Sequence, residues 1–379
     1  MDLTVGHFKH TYLSLTETFI YQYITNHERY EPFVASMRKE NIENFPFQPR
    51  HTFLDHPRWS LRFLIYGGLA KLNIRELSQT YFGHIVNKTN PDILHAHFGP
   101  MGVELLPHRT PERPLVTTFY GYDTSMAVKD NESIRADYQR LFETGDLFLV
   151  EGPSMQEKLQ TLGCPEEKIG LQRIAIDPSQ ITPQFPGERD SWRILLVGSF
   201  VEKKGIPDGI RAFASAFSDT ENAELRIVGG EVRDLTKADL ERLAAEHGVE
   251  DKVTFTGFLD YGEYLKEVRE CTLLLAPSKT AESGDSEGGA PTVLLEAQAS
   301  GKPVVTTTHA DIPYVVEEGV AGKLVTPGNV SELSDALRWC RDHPKRFNQL
   351  GRAGRENMEQ HHDITELATQ LEQRYDRLL

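Results

Sequence analysis

Two glutamates, Glu287 and Glu296, bracket a run of small residues, a proline and an apolar stretch in GDSEGGAPTVLLEAQASGKPVV (284–305). The apolar runs to either side, CTLLLAPS (271–278) and KPVVTTTH (302–309), read as strands, with a helix beginning near Pro291–Thr292 between them. Proline suits the first helical position and Gly301 suits the stop. Gly288, Gly289 and Ala290 therefore lie where a loop turns into a helix after a strand. Free backbone N–H groups and the helix dipole point there, so an anion such as a phosphate fits, and small residues let the backbone approach it. Glu296, one turn into the helix, can accept hydrogen bonds from two ribose hydroxyls, as the acidic residue of dinucleotide-binding folds does. The pattern suggests a nucleotide diphosphate carrying a polar group. The alternative is an acidic surface loop with a helical glutamate in a salt bridge.

A second piece is RILLVGSFVEKKG, a strand, a Gly turn and then EKKG. Lys203 or Lys204 near that strand end can meet a diphosphate; the alternative is a solvated lysine pair. The stretch lacks GxxxxGK[ST] and GxGxxG, so it is neither a Walker loop nor the dinucleotide fingerprint. His95 and His97 in DILHAHF (92–98) are read as pointing to opposite faces of a strand end, one toward a cleft and one packing. His7 and His10 lie near the first strand and could line the same cleft. Thr16 and Glu17 of LTETF follow the first loop, either at the cleft or capping a helix. His361 and His362 read as surface residues. Cys164, Cys271 and Cys340 show no CxxC and no metal-ligand spacing, so they read as reduced, buried thiols.

These residues need a scaffold. Short, continuously apolar runs at 92–98, 114–121, 146–152, 193–200, 224–230, 252–259, 271–278 and 302–309 read as buried strands. Continuous apolarity suits a parallel sheet covered on both faces. Helix candidates such as GIPDGIRAFASAF, TKADLERLAAEHG and YGEYLKEVREC alternate with them, which predicts an α/β fold of two doubly wound Rossmann-like domains. At roughly 100–200 residues per domain, two domains suit the 379-residue chain. The expected organisation is an α/β domain over 1–176, a linker over 177–192 and a second α/β domain over 193–359. A C-terminal amphipathic helix over 360–379, with Asp363 as N-cap, completes it. Ligands in such sheets sit beyond the carboxyl ends of strands, and two facing domains would form a cleft.

A formal charge of −15 argues against non-specific nucleic-acid binding, which needs clustered Lys and Arg. The N-terminus lacks the apolar core of a signal peptide, and no stretch reaches the roughly 18 apolar residues of a membrane span. The expectation is a cytoplasmic protein, at most peripheral at the inner membrane face. Peripheral contact is suggested by the basic, aromatic stretch 50–76, whose alternative is a helix packed on the first sheet.

GSFVEKKG, IVGG, VTFTGFL and EGGAPTVLLEAQASGKPVVTTTHADIPYVVEEGVAGKLV together, in that order, resemble the retaining glycosyltransferases of family four, built on the GT-B fold. SLTETFI, DILHAHFGPMG and TTFYGYD resemble the members that make exopolysaccharide and lipopolysaccharide chains. The resemblance implies a metal-independent hexosyltransferase that needs no cofactor. Its donor is a nucleotide diphosphate sugar, UDP-sugar before GDP-sugar, and its acceptor a glycan or lipid-linked glycan. Lys204 would neutralise the leaving diphosphate, with Lys203 beside it. Residues 289–292 (Gly289, Ala290, Pro291 and Thr292) would hold the distal phosphate and the sugar. Glu296 would bind the ribose, and Phe258 and Leu259 would present backbone to the base. His97 would reach the donor sugar, with Tyr120, Thr16 and Glu17 lining the acceptor side. Glu287 corresponds loosely to the first glutamate of the family's pair, and the C-terminal helix would cross back to the first domain. A departing phosphate oxygen would take the acceptor proton.

Four positions depart from the family pattern. Ser199 stands where Arg is common, so one phosphate cation is missing unless Arg173 or another cation replaces it. Eight residues rather than seven separate Glu287 and Glu296, with Gly288 at the expected glutamate position. Tyr120 replaces a common His, and Asp311 and Tyr314 replace a common Gly and Glu. The rival readings are a nucleotide-sugar epimerase of the same fold and a non-catalytic glycan-binding subunit.

Overall fold

The computed structural model describes residues 3–53, 75–185 and 191–379. Two compact units emerge, Met1–Ala175 with Ile364–Leu379, and Ile176–Asp363. Of the basic, aromatic stretch 50–76, residues 54–74 lie outside the described residues; Arg50–Thr52 form a short strand.

The first unit carries a seven-stranded sheet in the order β3-β2-β1-β4-β5-β6-β7. Its strands are β1 (Leu3–Thr11), β2 (Tyr30–Arg38), β3 (Arg50–Thr52), β4 (Ile93–His97), β5 (Leu115–Thr118), β6 (Leu147–Val150) and β7 (Ile169–Leu171). Every pairing is parallel. All five residues of β4 are buried, because helices cover both faces of a parallel sheet. Leu94 and Ala96 of β4 join Phe8, Phe119, Phe142 and Phe148 in one core. Ile93 packs on the opposite face with Val5, Val116 and Leu149, against Leu367, Leu371 and Tyr375 of the last helix, Ile364–Asp376. That helix covers the face from which His95 and His97 project, since residues two apart on a strand share a side.

The second unit has six parallel strands in the order β10-β9-β8-β11-β12-β13. They are β8 (Trp192–Val197), β9 (Ala223–Val228), β10 (Val253–Gly257), β11 (Leu273–Ala276), β12 (Val304–Thr307) and β13 (Gly322–Val325). Both sheets start at an interior strand, run to one edge and return to build the other half, which is the Rossmann order. The order reverses between β1 and β4 in one unit and between β8 and β11 in the other, so loops after those strands diverge and leave room for a ligand. The core of the second unit combines Leu196, Leu225, Ile227 and Leu275 with Ile206, Ile210, Phe213 and Phe217 of the helix Ile206–Phe217. The segment expected as a linker is docked where it is described. Arg355 donates to the carbonyls of Pro178 (2.9 Å) and Ile181 (2.8 Å), and Gln184 N donates to Ser300 O.

Candidate functional site

In the second unit, the loop after β8 turns through Glu202–Lys204 and ends at Gly205, whose φ is +62°. A Cβ at Gly205 would lie 2.0 Å from Pro277 O, so glycine is what lets this turn press against the segment after β11. The close approach sets both lysines beside the glutamate-bearing loop. Lys204 Nζ lies 2.7 Å from Glu287 Oε1, and Lys203 Nζ lies 3.1 Å from Asp285 Oδ1. Arg233, from the loop after β9, donates to the other Asp285 oxygen. The lysines are therefore an internally paired set and not the solvated pair that was the alternative.

Glu287 is buried, accepts from Ser278 Oγ at 3.2 Å, and its backbone N–H donates to His309 Nε2. Burial pushes its carboxyl pKa up, but Lys204 and Lys203 outweigh this and hold it below the usual value. Ser199 is half-buried in the turn, with Gly288 half-buried and Gly289 and Ala290 buried ahead of the helix Thr292–Ala299. Pro291 occupies the cap position of that helix.

Glu296 is 5% exposed and both its oxygens are taken by phenols, Oε1 by Tyr261 at 3.2 Å and Oε2 by Tyr264. Burial raises its pKa to about 7, against the pull of the two hydroxyls. Phe258, after β10, is 68% exposed, its ring against Gly230, while Leu259 is half-buried. The sequence reading missed Asp285, Arg233, His309, Tyr261 and Tyr264. The tyrosines had a signal, since three-residue spacing in YGEYLKEVREC puts both on one helix face.

In the first unit, the expectation that His95 and His97 diverge is corrected. Their rings stack with centroids 4.6 Å apart, because alternation separates neighbouring residues, not residues two apart. His7 joins them through the register that pairs it with His95. His7 Nδ1 lies 3.0 Å from His97 Nε2, His7 Nε2 lies 3.0 Å from His27 Nε2, and Tyr120 Oη lies 2.7 Å from His97 Nδ1. His95 bonds Tyr375 Oη at 2.5 Å and Thr118 Oγ1 at 2.7 Å. Burial depresses all three pKa values, His95 to about 3, and neighbouring histidines add to the effect. His7, His95 and His97 offer nitrogens all within 4.8 Å of one another, a grouping that could hold a metal ion and that the sequence reading did not assemble.

A pocket beside them is lined by His95, His97, Tyr120, Phe19, Glu151 and Arg173 among others. Glu17 stands before the helix Thr18–Thr25 without capping it. Its carboxylate instead takes Lys9 Nζ at 2.6 Å and the Ser14 N–H at 2.7 Å, and Thr16 Oγ1 meets Ser14 Oγ at 3.3 Å. His10 pairs with Glu104 at 2.8 Å. His362, expected at the surface, is buried, and its carbonyl accepts from Ile176 N. The three cysteines are free and buried. Among the described residues no helix is long and apolar enough to cross a membrane.

Residues 180–357 match the family model described as glycosyl transferases group 1. The amylovoran biosynthesis glycosyltransferase AmsK of Erwinia amylovora is 35% identical over 65% of this chain and 60% of its own length. The putative colanic acid biosynthesis glycosyltransferase WcaL of Escherichia coli K12 is 32% identical over 67% of this chain and 63% of its own. The chain thus spans about 60% of the length of the curated relatives it matches. The fold is shared with Anabaena Alr3699/HepE in complex with UDP (TM-score 0.79, 18% identity, 99% of this chain and 100% of that one). It is shared also with the lipopolysaccharide outer core galactosyltransferase WaaB (TM-score 0.72, 16% identity, 99% and 100%).

Proposed function

Because residues 180–357 match the family model of group 1 glycosyl transferases, we propose that this chain is a retaining, metal-independent hexosyltransferase of cell-surface polysaccharide synthesis. Its donor is a nucleotide diphosphate sugar, with UDP-sugars first and GDP-sugars second, and its acceptor is a glycan or lipid-linked glycan. The observation that carries the reading is the gathering of Lys203, Lys204 and Arg233 on Asp285 and Glu287, in the loop that leads into the helix Thr292–Ala299 after the central strand β11.

Cleaving a sugar–phosphate bond builds negative charge on the diphosphate. Lys204 and the backbone N–H groups of Gly289, Ala290 and Thr292 stabilise that charge where it develops, without a metal ion. Lys204 is already poised by Glu287, and the incoming diphosphate takes over that pairing. Arg233 supplies the cation that Ser199 lacks. Glu296 turns from its two tyrosines to the ribose hydroxyls, and the loop at Phe258 and Leu259 meets the base. In the first unit, His97 and Tyr120 meet substrate hydroxyls, and Thr16 and Glu17 shape the acceptor side. The acceptor oxygen bonds to the anomeric carbon on the face that the diphosphate leaves, and a diphosphate oxygen takes the acceptor proton. UDP is put first because fold neighbours hold UDP, and GDP stays in view because a relative 29% identical is named as GDP-mannose-dependent.

The test is a melting-temperature panel of UDP, GDP, ADP, CMP and dTDP, followed by calorimetry. A diphosphate at 100 times its Kd stabilises by about 2.7 kcal/mol. Selective binding of one diphosphate supports the reading. Absence of binding at millimolar concentration favours a non-catalytic subunit.

A further inference from the structure

In the first unit His27, His7, His97 and Tyr120 form a hydrogen-bonded file, and the buried Glu372 carboxylate faces its His27 end at ion-pair distance without hydrogen-bond geometry. Glu372 Oε1 lies 3.4 Å from His27 Nδ1, His27 Nε2 lies 3.0 Å from His7 Nε2, and His7 Nδ1 lies 3.0 Å from His97 Nε2. His97 Nδ1 ends the file at Tyr120 Oη, 2.7 Å away. We propose that Glu372, on the last helix, fixes the tautomer of His97 through His27 and His7, and so fixes which way the Tyr120 hydroxyl points.

A neutral imidazole carries one N–H and one lone pair, so each bond in the file dictates the next. Glu372 also accepts the N–H groups of Glu28 (2.8 Å) and Arg29 (3.0 Å) and the Arg29 Nε (3.1 Å), which holds it as a carboxylate. Burial alone would raise its pKa, but His27 and those backbone donors bring it down to about 2. A carboxylate only accepts, so His27 places its proton on Nδ1 and leaves Nε2 as an acceptor. His7 must then donate from Nε2 and accept at Nδ1. His97 in turn donates from Nε2 and accepts at Nδ1, and Tyr120 gives its hydroxyl hydrogen to that nitrogen. The opposite polarity would face a bare nitrogen lone pair toward the carboxylate.

Glu372 is thus a positioning residue. With its hydrogen committed to His97, Tyr120 meets a ligand in the neighbouring pocket only as an acceptor, which selects a hydroxyl donor over a carbonyl. A metal ion on His7, His95 and His97 is the competing account of the same cluster. Both nitrogens of each of these rings already sit in hydrogen bonds of 2.5–3.0 Å. A metal would have to break them.

Nitrogen-15 NMR of histidine-labelled full-length protein at pH 8 reads the tautomers directly, whether or not sugar transfer is ever detected. The expected pattern is Nε2–H at His97 and His7 and Nδ1–H at His27. Glu372→Leu removes the acceptor that faces His27, so it should abolish the single tautomer at His97 while His95, held by Tyr375 and Thr118, keeps its shifts. Tyr120→Phe leaves the carboxylate anchor in place, so His97 should keep Nε2–H; this arm decides the matter if Glu372→Leu does not fold. Nδ1–H at His97 in the unaltered protein, a tautomer indifferent to Glu372→Leu or changed by Tyr120→Phe, or stoichiometric zinc or nickel with metal-shifted imidazoles would each overturn the proposal.

Discussion

Lys204 holds its ammonium 2.7 Å from Glu287, and the proposed chemistry turns on that ammonium facing a diphosphate. Lys204→Ala should lower the turnover number by about 10²–10³, the usual effect of removing one group aimed at transition-state charge, and should also lower the melting temperature, because it leaves the buried Glu287 without its nearest cation. Single-turnover kinetics and a thermal scan check the two halves. Glu296 gives a pH prediction. Its folded pKa, raised by burial from 4.5 to about 7, means the folded state keeps a proton that the unfolded chain releases. That contribution to stability is complete below pH 4.5 and is lost as pH rises through about 7. A ribose that hydrogen-bonds the ionised form should bind more tightly as pH rises through the same range, with proton release. Calorimetry in buffers of different ionisation enthalpy measures that release, and Glu296→Gln should remove it. At this scale the sequence showed which residue types gather, because strand and helix ends were legible. It did not show partners brought by distant segments: Asp285 with Arg233, His309 with Glu287, and Glu372 with His27 are pairings that only the fold creates.

Among the elements, the turn at Gly205 and the last helix do the positioning. Gly205 combines a positive φ with a contact no Cβ allows. Gly205→Ala should cost about 2–3 kcal/mol and displace Lys203 and Lys204, so nucleotide affinity should fall along with the melting temperature. Leu371 of the last helix is 1% exposed beneath the sheet of the first unit. Leu371→Ala should destabilise by about 2–5 kcal/mol, read as a shifted denaturant midpoint. The strands over 93–97, 115–118, 193–197 and 273–276 were legible because both faces are buried and the apolar run is unbroken. The short strands Arg50–Thr52 and Ile169–Leu171 were not, since three residues carry no periodicity. The error over His95 and His97 was one of geometry, as the pleat puts both on the side that the last helix covers.

For the whole molecule, two Rossmann-like sheets follow from alternating apolar runs and amphipathic helices, and the matched segment 180–357 covers most of the second unit. Helix dipole and lysine can replace a divalent ion, so chelation with EDTA should leave the transfer rate unchanged; a loss restored by magnesium or manganese would refute metal independence. The most direct test of the central claim is release of nucleoside diphosphate from a panel of UDP- and GDP-sugars. It is run with a glycolipid fraction as acceptor, comparing the unaltered chain with Lys204→Ala. The account predicts acceptor-stimulated release from one donor class, a product with the donor's anomeric configuration, and collapse of the signal in Lys204→Ala. Release that is equal in the two proteins, or absent for every donor, would contradict it.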